Sequence, residues 1–302
     1  MSVVRAIVIV AAVVGVVVTA TPAVASPGWI VTCPHSHFNR DDPIVHPGEP
    51  GAAHLHEFIG NRTMNAHSTY KASVGASTTC PENDTAGYWF PAFFEGKRRM
   101  TSGSSAIGRF TRNTVYYRNN LDGYAPSAIN APPAKLKIVV GRAKATSASR
   151  NPKLGSELYY GCSDNSTDKL VRPRSCSTGL ISVHIGFPNC WNGVDLDSQN
   201  HRSHMAWPVE NSSDRYVCPK SHPVPIVRII MRMEFETGTT TRKFRLSSGP
   251  AYTLHGDFFN TWVQADLERL TRDCIRKDID CGTFDIGDHD ERDRPGPGRA
   301  QR

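Results

Sequence analysis

None of the eight cysteines forms a Cys-x-x-Cys pair, so the sequence offers neither a zinc-thiolate knuckle nor a thioredoxin-type redox motif. It has no His-Glu-x-x-His stretch, which removes the helical zinc-protease arrangement. It also has no Gly-x-Ser-x-Gly, which disfavours the nucleophile elbow of the α/β-hydrolases. Beyond residue 25 no apolar run approaches the ~20 residues of a spanning helix. There is no internal repeat. Basic residues are scattered, with one sharp cluster at Lys97-Arg98-Arg99 and no basic stripe interleaved with stacking aromatics. Nucleic acid is therefore not an expected partner.

The first 25 residues carry an export signal. A short start with one charge, Arg5, leads into an apolar run from Ala6 to Ala20. Pro22 and the small-residue triplet Ala23-Val24-Ala25 then precede Ser26, as at a peptidase cleavage site. The expected product is a secreted, extracellular chain starting at Ser26, with no membrane association after cleavage and a monomeric state. Loss of Arg5 leaves 34 basic against 28 acidic residues, which reads first as a solvated basic surface and second as one able to attract anionic cell-wall polymer or acidic glycan. In an oxidising compartment, an even number of cysteines reads as four disulfides. Eight cysteines allow 105 pairings. Pairing sequence neighbours gives Cys162–Cys176, Cys190–Cys218 and Cys274–Cys281, leaving Cys33–Cys80.

Short β-branched runs dominate the regular signal: 135–140, 180–185 and, most clearly, 227–236. In the last, Val227, Ile229, Met231, Met233 and Phe235 alternate with Arg228, Ile230, Arg232, Glu234 and Glu236, giving one buried and one mostly wet face. The aromatic run 88–94 is interrupted by Pro91, which predicts a sheet edge or a bulge. The apolar stripe Val263, Leu267, Leu270 and Cys274 predicts a helix over 261–275, capped by Asn260 or Thr261. Many short strands with 21 prolines and 24 glycines point to a mainly β fold. We expect one domain, 26–284, of β-sandwich or jelly-roll type with long loops, disulfides and a C-terminal helix. The polar tail 285–302 is expected to be disordered.

Three segments concentrate histidine with carboxylates. His54 and His56, two apart, share a side-chain direction on an extended chain, as do His255 and Asp257. Asp197, His201 and His204 form the third segment. Their expected convergence would suit either a divalent metal or metal-free general acid–base work. Metal ligands would come from His54, His56, His204, His255 and Asp257. The alternative is that the histidines brace loop backbones, the reading favoured for His35, His37, His46, His67, His184, His222 and His289. Trp89, Trp191, Trp207 and Trp262, with Tyr70, Tyr88, Tyr116 and Tyr117, lie in or near these segments and suit either sugar faces or a β-core.

Asp42-Pro-Ile-Val-His-Pro-Gly48, leading to His54-x-His56-x-Phe58-x-Gly60-Asn61, resembles the opening of the secreted family called domain of unknown function 1996. Similar blocks follow in order: Cys80 with Tyr88-Trp89-x-Pro91, Cys190-Trp191-x-Gly193 with His201-x-Ser203-His204, Cys218-Pro219-x-x-His222-Pro223, and His255-x-Asp257-Phe258. The resemblance spans about 33–274. It implies secretion in fungi and actinobacteria and an association with carbohydrate-binding or cell-wall modules, but no reaction. The family shows Asp after the Trp of its central block, where this chain has Asn192, so position 192 is left out of the site.

The leading expectation is a carbohydrate-active enzyme acting on an extracellular or cell-wall polysaccharide, hydrolysis being favoured over elimination or oxidation. The site would be His54, His56, His204, His255 and Asp257, with Asp197 and His201 next. Its cofactor would be none or a divalent metal ion. The rivals are a non-catalytic glycan- or cell-wall-binding protein and an extracellular metal-binding protein without turnover.

Overall fold

The computed structural model describes residues 27–103, 112–163, 167–237 and 243–285. Residues 1–26, with the expected leader, and the expected tail except Asp285 lie outside the described residues. Eleven strands build the body: β1 (Gly28–Thr32), β2 (His35–Asn39), β3 (His56–Gly60), β4 (Gly87–Pro91), β5 (Asn113–Arg118), β6 (Lys137–Gly141), β7 (Leu158–Cys162), β8 (Leu180–Gly186), β9 (Arg228–Glu236), β10 (His255–Phe259) and β11 (Asp280–Phe284). They form a six-stranded sheet in the order β11-β1-β5-β9-β8-β7 and a five-stranded sheet in the order β2-β3-β4-β10-β6. Pairing is antiparallel except between β1 and β11.

The two sheets face each other across one core. Period-two burial on β9 hides Ile229, Met231, Met233 and Phe235, as its alternation predicts. These meet Ile59, Tyr88, Phe90, Ile138, Val140 and Phe258 from the smaller sheet. Burying such a side chain contributes roughly 1.5–3 kcal/mol. Gly256 of β10 lies over Ile185 and Met231, and an added Cβ there would stand 2.7 Å from Ile185. Glycine thus lets β10 lie close against the larger sheet. Glu234, on the wet side of β9, is nevertheless buried, and it is satisfied by Ser163, Arg232 and the Arg112 N–H.

Pro91 is not at a sheet edge: β4 is the central strand of its sheet. The proline closes that strand. The next N–H, from Ala92, points to Leu55 on the β3 side, so the absent N–H of Pro91 faces β10 beyond the last β4–β10 pair, Trp89 with Asp257. The C-terminal helix, α1 (Gln264–Leu270), continues as a π-turn, Thr271–Ile275, and buries Leu267, Leu270 and Cys274. It starts later than the stripe predicts. Asn260 and Thr261 spend their side chains on the carbonyls of Pro132, Pro133 and Thr85 instead of capping it.

Four disulfides close Cys33–Cys80, Cys162–Cys176, Cys190–Cys218 and Cys274–Cys281, with no free cysteine. Among the described residues no helix is long and apolar enough to cross a membrane.

Candidate metal centre

The outer face of the five-stranded sheet, away from the core, carries Phe58, Trp89, Val139 and Phe259. These are roofed by Ile44 and Met64 from the 41–75 segment. Asp41 ties that roof down: its carboxylate accepts from the Gly51 and Ala66 N–H groups and from Asn39. Asp42 shapes the next turn. Its Oδ1 accepts the Ile44 and Val45 N–H groups, both at 2.9 Å, with Pro43 fixing the backbone between.

At one end of this face three imidazoles meet. Asn39 and Pro91 flank His56 on the neighbouring strands, and Gly141 lies opposite His255. Gly141 has φ +78°, and a Cβ on it would stand 2.8 Å from the His255 Cα, so glycine leaves β10 its place here. His54, just before β3, completes the group: its Nε2 is 3.1 Å from the His255 Nε2. Ring centroids are 4.3 Å apart for His54–His56, 4.8 Å for His54–His255 and 5.7 Å for His56–His255. His56 and His255 are buried, while His54 is half-buried and forms the outer wall. Glu57, between His56 and Phe58, faces the other way and meets His35 and Ser102.

The tautomers follow from the partners. The Nδ1 of His56 lies 3.0 Å from the Asp41 carbonyl, and that of His255 2.8 Å from the Thr253 carbonyl. A carbonyl only accepts, so each Nδ1 carries the proton and each Nε2 presents a lone pair. The His56 Nε2 and both carboxylate oxygens of Asp257 are buried without a hydrogen-bond partner. One ligand atom from each of His54, His56 and His255 lies within 4.8 Å of the others, and the same holds for Asp42, His56 and Asp257.

Burial governs the charges. Desolvation, with the Arg40 and His46 charges adding, lowers the His54 pKa to about 4. Desolvation and the His54 charge lower His255 to about 3, and His56 falls well below the ordinary value for the same reasons. The three imidazoles are therefore neutral at neutral pH. Desolvation raises the Asp257 carboxyl well above the carboxylate range; Asp42 adds to this and Arg202 opposes it. Asp42 is itself raised by burial.

The donors fit a divalent transition metal. Neutral imidazoles with backbone carbonyls fixing the far nitrogen are the usual outer shell of a histidine metal ligand. A cation would also give partners to the orphaned Nε2 and carboxylate, which are costly to bury alone. Imidazole nitrogens, whether the three of His54, His56 and His255 or the one of His56 with the carboxylates of Asp42 and Asp257, suit zinc, copper, nickel, iron or manganese better than calcium or magnesium.

Of the residues singled out by sequence, His54, His56 and His255 come together here, Asp257 reaches them through His56, and the third segment does not join them. The Nε2 of His204 lies 2.6 Å from the Lys137 carbonyl and its Nδ1 2.9 Å from the Ser198 hydroxyl, so neither nitrogen is spare. His201 pairs with Asp197 at 2.8 Å, and Asp197 stands 3.9 Å from the Lys137 ammonium. This segment braces itself along β6 through Lys137 N–H to Leu196 and Val139 N–H to His201. Asn192 caps a turn there, accepting the Val194 and Asp195 N–H groups as an aspartate would. What the segment does bring to the centre is the Arg202 charge. Asp42 was missed as a site residue, because Asp-Pro reads as turn chemistry and nothing local marks its approach to β10. Trp89 and Trp262 are core residues, whereas Trp191 and Trp207 are partly exposed.

Fold and centre define a class: a disulfide-braced β-sandwich with a cluster of three histidines and one aspartate on the outer face of its smaller sheet. Residues 42–262 match the family model described as domain of unknown function DUF1996, and the chain belongs to that family. The matched span contains every residue of the cluster. No curated protein and no solved structure matches the chain.

Proposed function

We propose that this protein is a secreted, transition-metal-dependent enzyme acting on an extracellular or cell-wall polysaccharide. His54, His56, His255 and Asp257 would hold the ion. The observation that supports this most is the unpartnered Nε2 lone pair of His56, fixed by the Asp41 carbonyl, which shares one ligand group with His54 and His255 and another with Asp42 and the unpartnered Asp257. A bound ion would supply Lewis acidity and a hydrolytic water that ionises near neutral pH. Asp42 is buried beside Asp257 and His56, with Oδ1 accepting two N–H groups and the Trp89 indole beside its carboxylate. It is suited to take a proton and return it. Half-buried His54 forms the route in. Export is supported by the leader-like residues 1–25 and by the four disulfides.

A second reading, non-catalytic glycan binding, is favoured by a cleft of about 460 Å³ on the outer face of the larger sheet. Tyr159 and His184 stack there at 4.3 Å beside Arg232 and Lys169. Metal analysis of purified protein, with a reducing-sugar screen on a glycan panel, separates the two. We expect about one transition-metal ion per chain, new reducing ends from at least one glycan, and loss of both in His255→Ala. Glycan retention by a metal-free chain without turnover would replace the first reading with the second.

A further inference from the structure

The mouth of the centre is framed by arginines. Arg40 directly follows Asn39, the residue paired with His56, and its carbonyl accepts the Ala53 N–H at 3.0 Å, one residue before His54. On the other side, Arg142 directly follows Gly141, the residue paired with His255. Arg202 reaches the same point, its guanidinium donating to the Gly141 and Asn200 carbonyls, each at 3.1 Å. All three are exposed.

Among the described residues, no carboxylate forms an ion pair with any of the three. The acidic groups nearest the mouth are otherwise placed: Asp42 and Asp257 are buried below it, and Glu49 pairs with His46 at 3.5 Å. Arg202 is attracted by the Asp257 and Asp42 carboxyls below it and repelled by Arg142, and Arg40 acts on His54. Like charges gathered without a direct ion pair work against stability, and such rule-breaking concentrates at functional sites. Guanidinium forks match carboxylate and phosphate geometry, and a cationic mouth draws anions in.

We propose that the substrate of this centre is an anionic polymer, and that Arg40, Arg142 and Arg202 hold a carboxylate or phosphate on the unit beside the one acted upon. This rests on the metal-centre reading for what happens at the held chain, but not for the holding itself. Affinity electrophoresis tests it, with polygalacturonate, poly(glycerol phosphate) or neutral dextran in the gel. The wild-type chain should be retarded by one or both polyanions and not by dextran, and the polyanion that retards it more identifies the anionic group. Arg40→Gln/Arg142→Gln should weaken that retardation about tenfold, the worth of one good charge-assisted contact. A charge-matched control, Lys97→Gln/Lys277→Gln, should change it much less. Metal content, measured on the same samples, should stay at the wild-type level in both. Equal retardation by dextran, or equal losses in the two double variants, would overturn the proposal. Absence of metal from all samples would instead sink the metal reading, while the electrophoresis still reports on the arginines.

Discussion

Replacing Asp257 with Asn, or with the apolar isostere Leu, separates a ligand from a structural brace. Both carboxylate oxygens of Asp257 are buried without a partner, and burial raises its pKa well above the usual carboxylate range. A buried polar group left unsatisfied costs ~1–3 kcal/mol, so removing it should leave the metal-free protein as stable or stabilise it by that amount. For a domain of this size about 1 kcal/mol is ~2–4 °C in Tm. The metal-free variants should therefore melt between the wild-type Tm and several degrees above it. With metal the order reverses. A ligand at a thousand times its Kd stabilises by ~4 kcal/mol, so wild-type protein should gain of the order of 10 °C on loading. The variants should lose most of that gain. Scanning calorimetry after chelation and after addition of zinc, copper or manganese measures both quantities on one sample. A metal-free Asp257→Leu melting well below the wild type would refute the reasoning, since it would mean that Asp257 braces the fold. A variant that keeps the full metal-induced rise would refute it as well.

His204→Ala should behave oppositely: it removes the partner of the Lys137 carbonyl, costs about 1–3 kcal/mol and leaves metal content unchanged. Chemical denaturation with metal analysis of the folded fraction checks it; loss of metal without destabilisation would return His204 to the centre. His184 gives a pH signature on the other sheet. Burial, with the Arg232 and Lys169 charges, lowers its pKa to about 3, so between about pH 3 and 6.5 the unfolded chain binds a proton that the folded chain refuses. Stability should rise with pH across that window, by at most ~1.4 kcal/mol per unit from this group, and level off above it. In His184→Gln the acid limb of a stability–pH profile should flatten by that slope; an unchanged limb would show that His184 is not refused its proton.

Much of the architecture was legible because its signals are local. The alternation of 227–236 needs only one buried face, the stripe Leu267, Leu270 and Cys274 only one helix side, and neighbouring cysteines only short loops to close. The candidate centre was legible in pairs for the same reason, since residues two apart on an extended chain share a direction: His54 with His56, and His255 with Asp257. The sequence could not say which pairs meet, because that depends on register between strands far apart in the chain. Pro91, read as marking a sheet edge or a bulge, ends a central strand, since only the fold shows where the neighbouring ladder stops. His204 resembles the ligands in composition, yet the Lys137 carbonyl and the Ser198 hydroxyl claim both of its nitrogens. Asp42 resembles an ordinary turn residue, yet the roofing loop carries it to within 4.8 Å of His56 and Asp257. Local chemistry set the elements and supplied the donors. Tertiary packing chose among the donors, because convergence, burial and the spending of hydrogen bonds exist only once the sheets are paired and roofed.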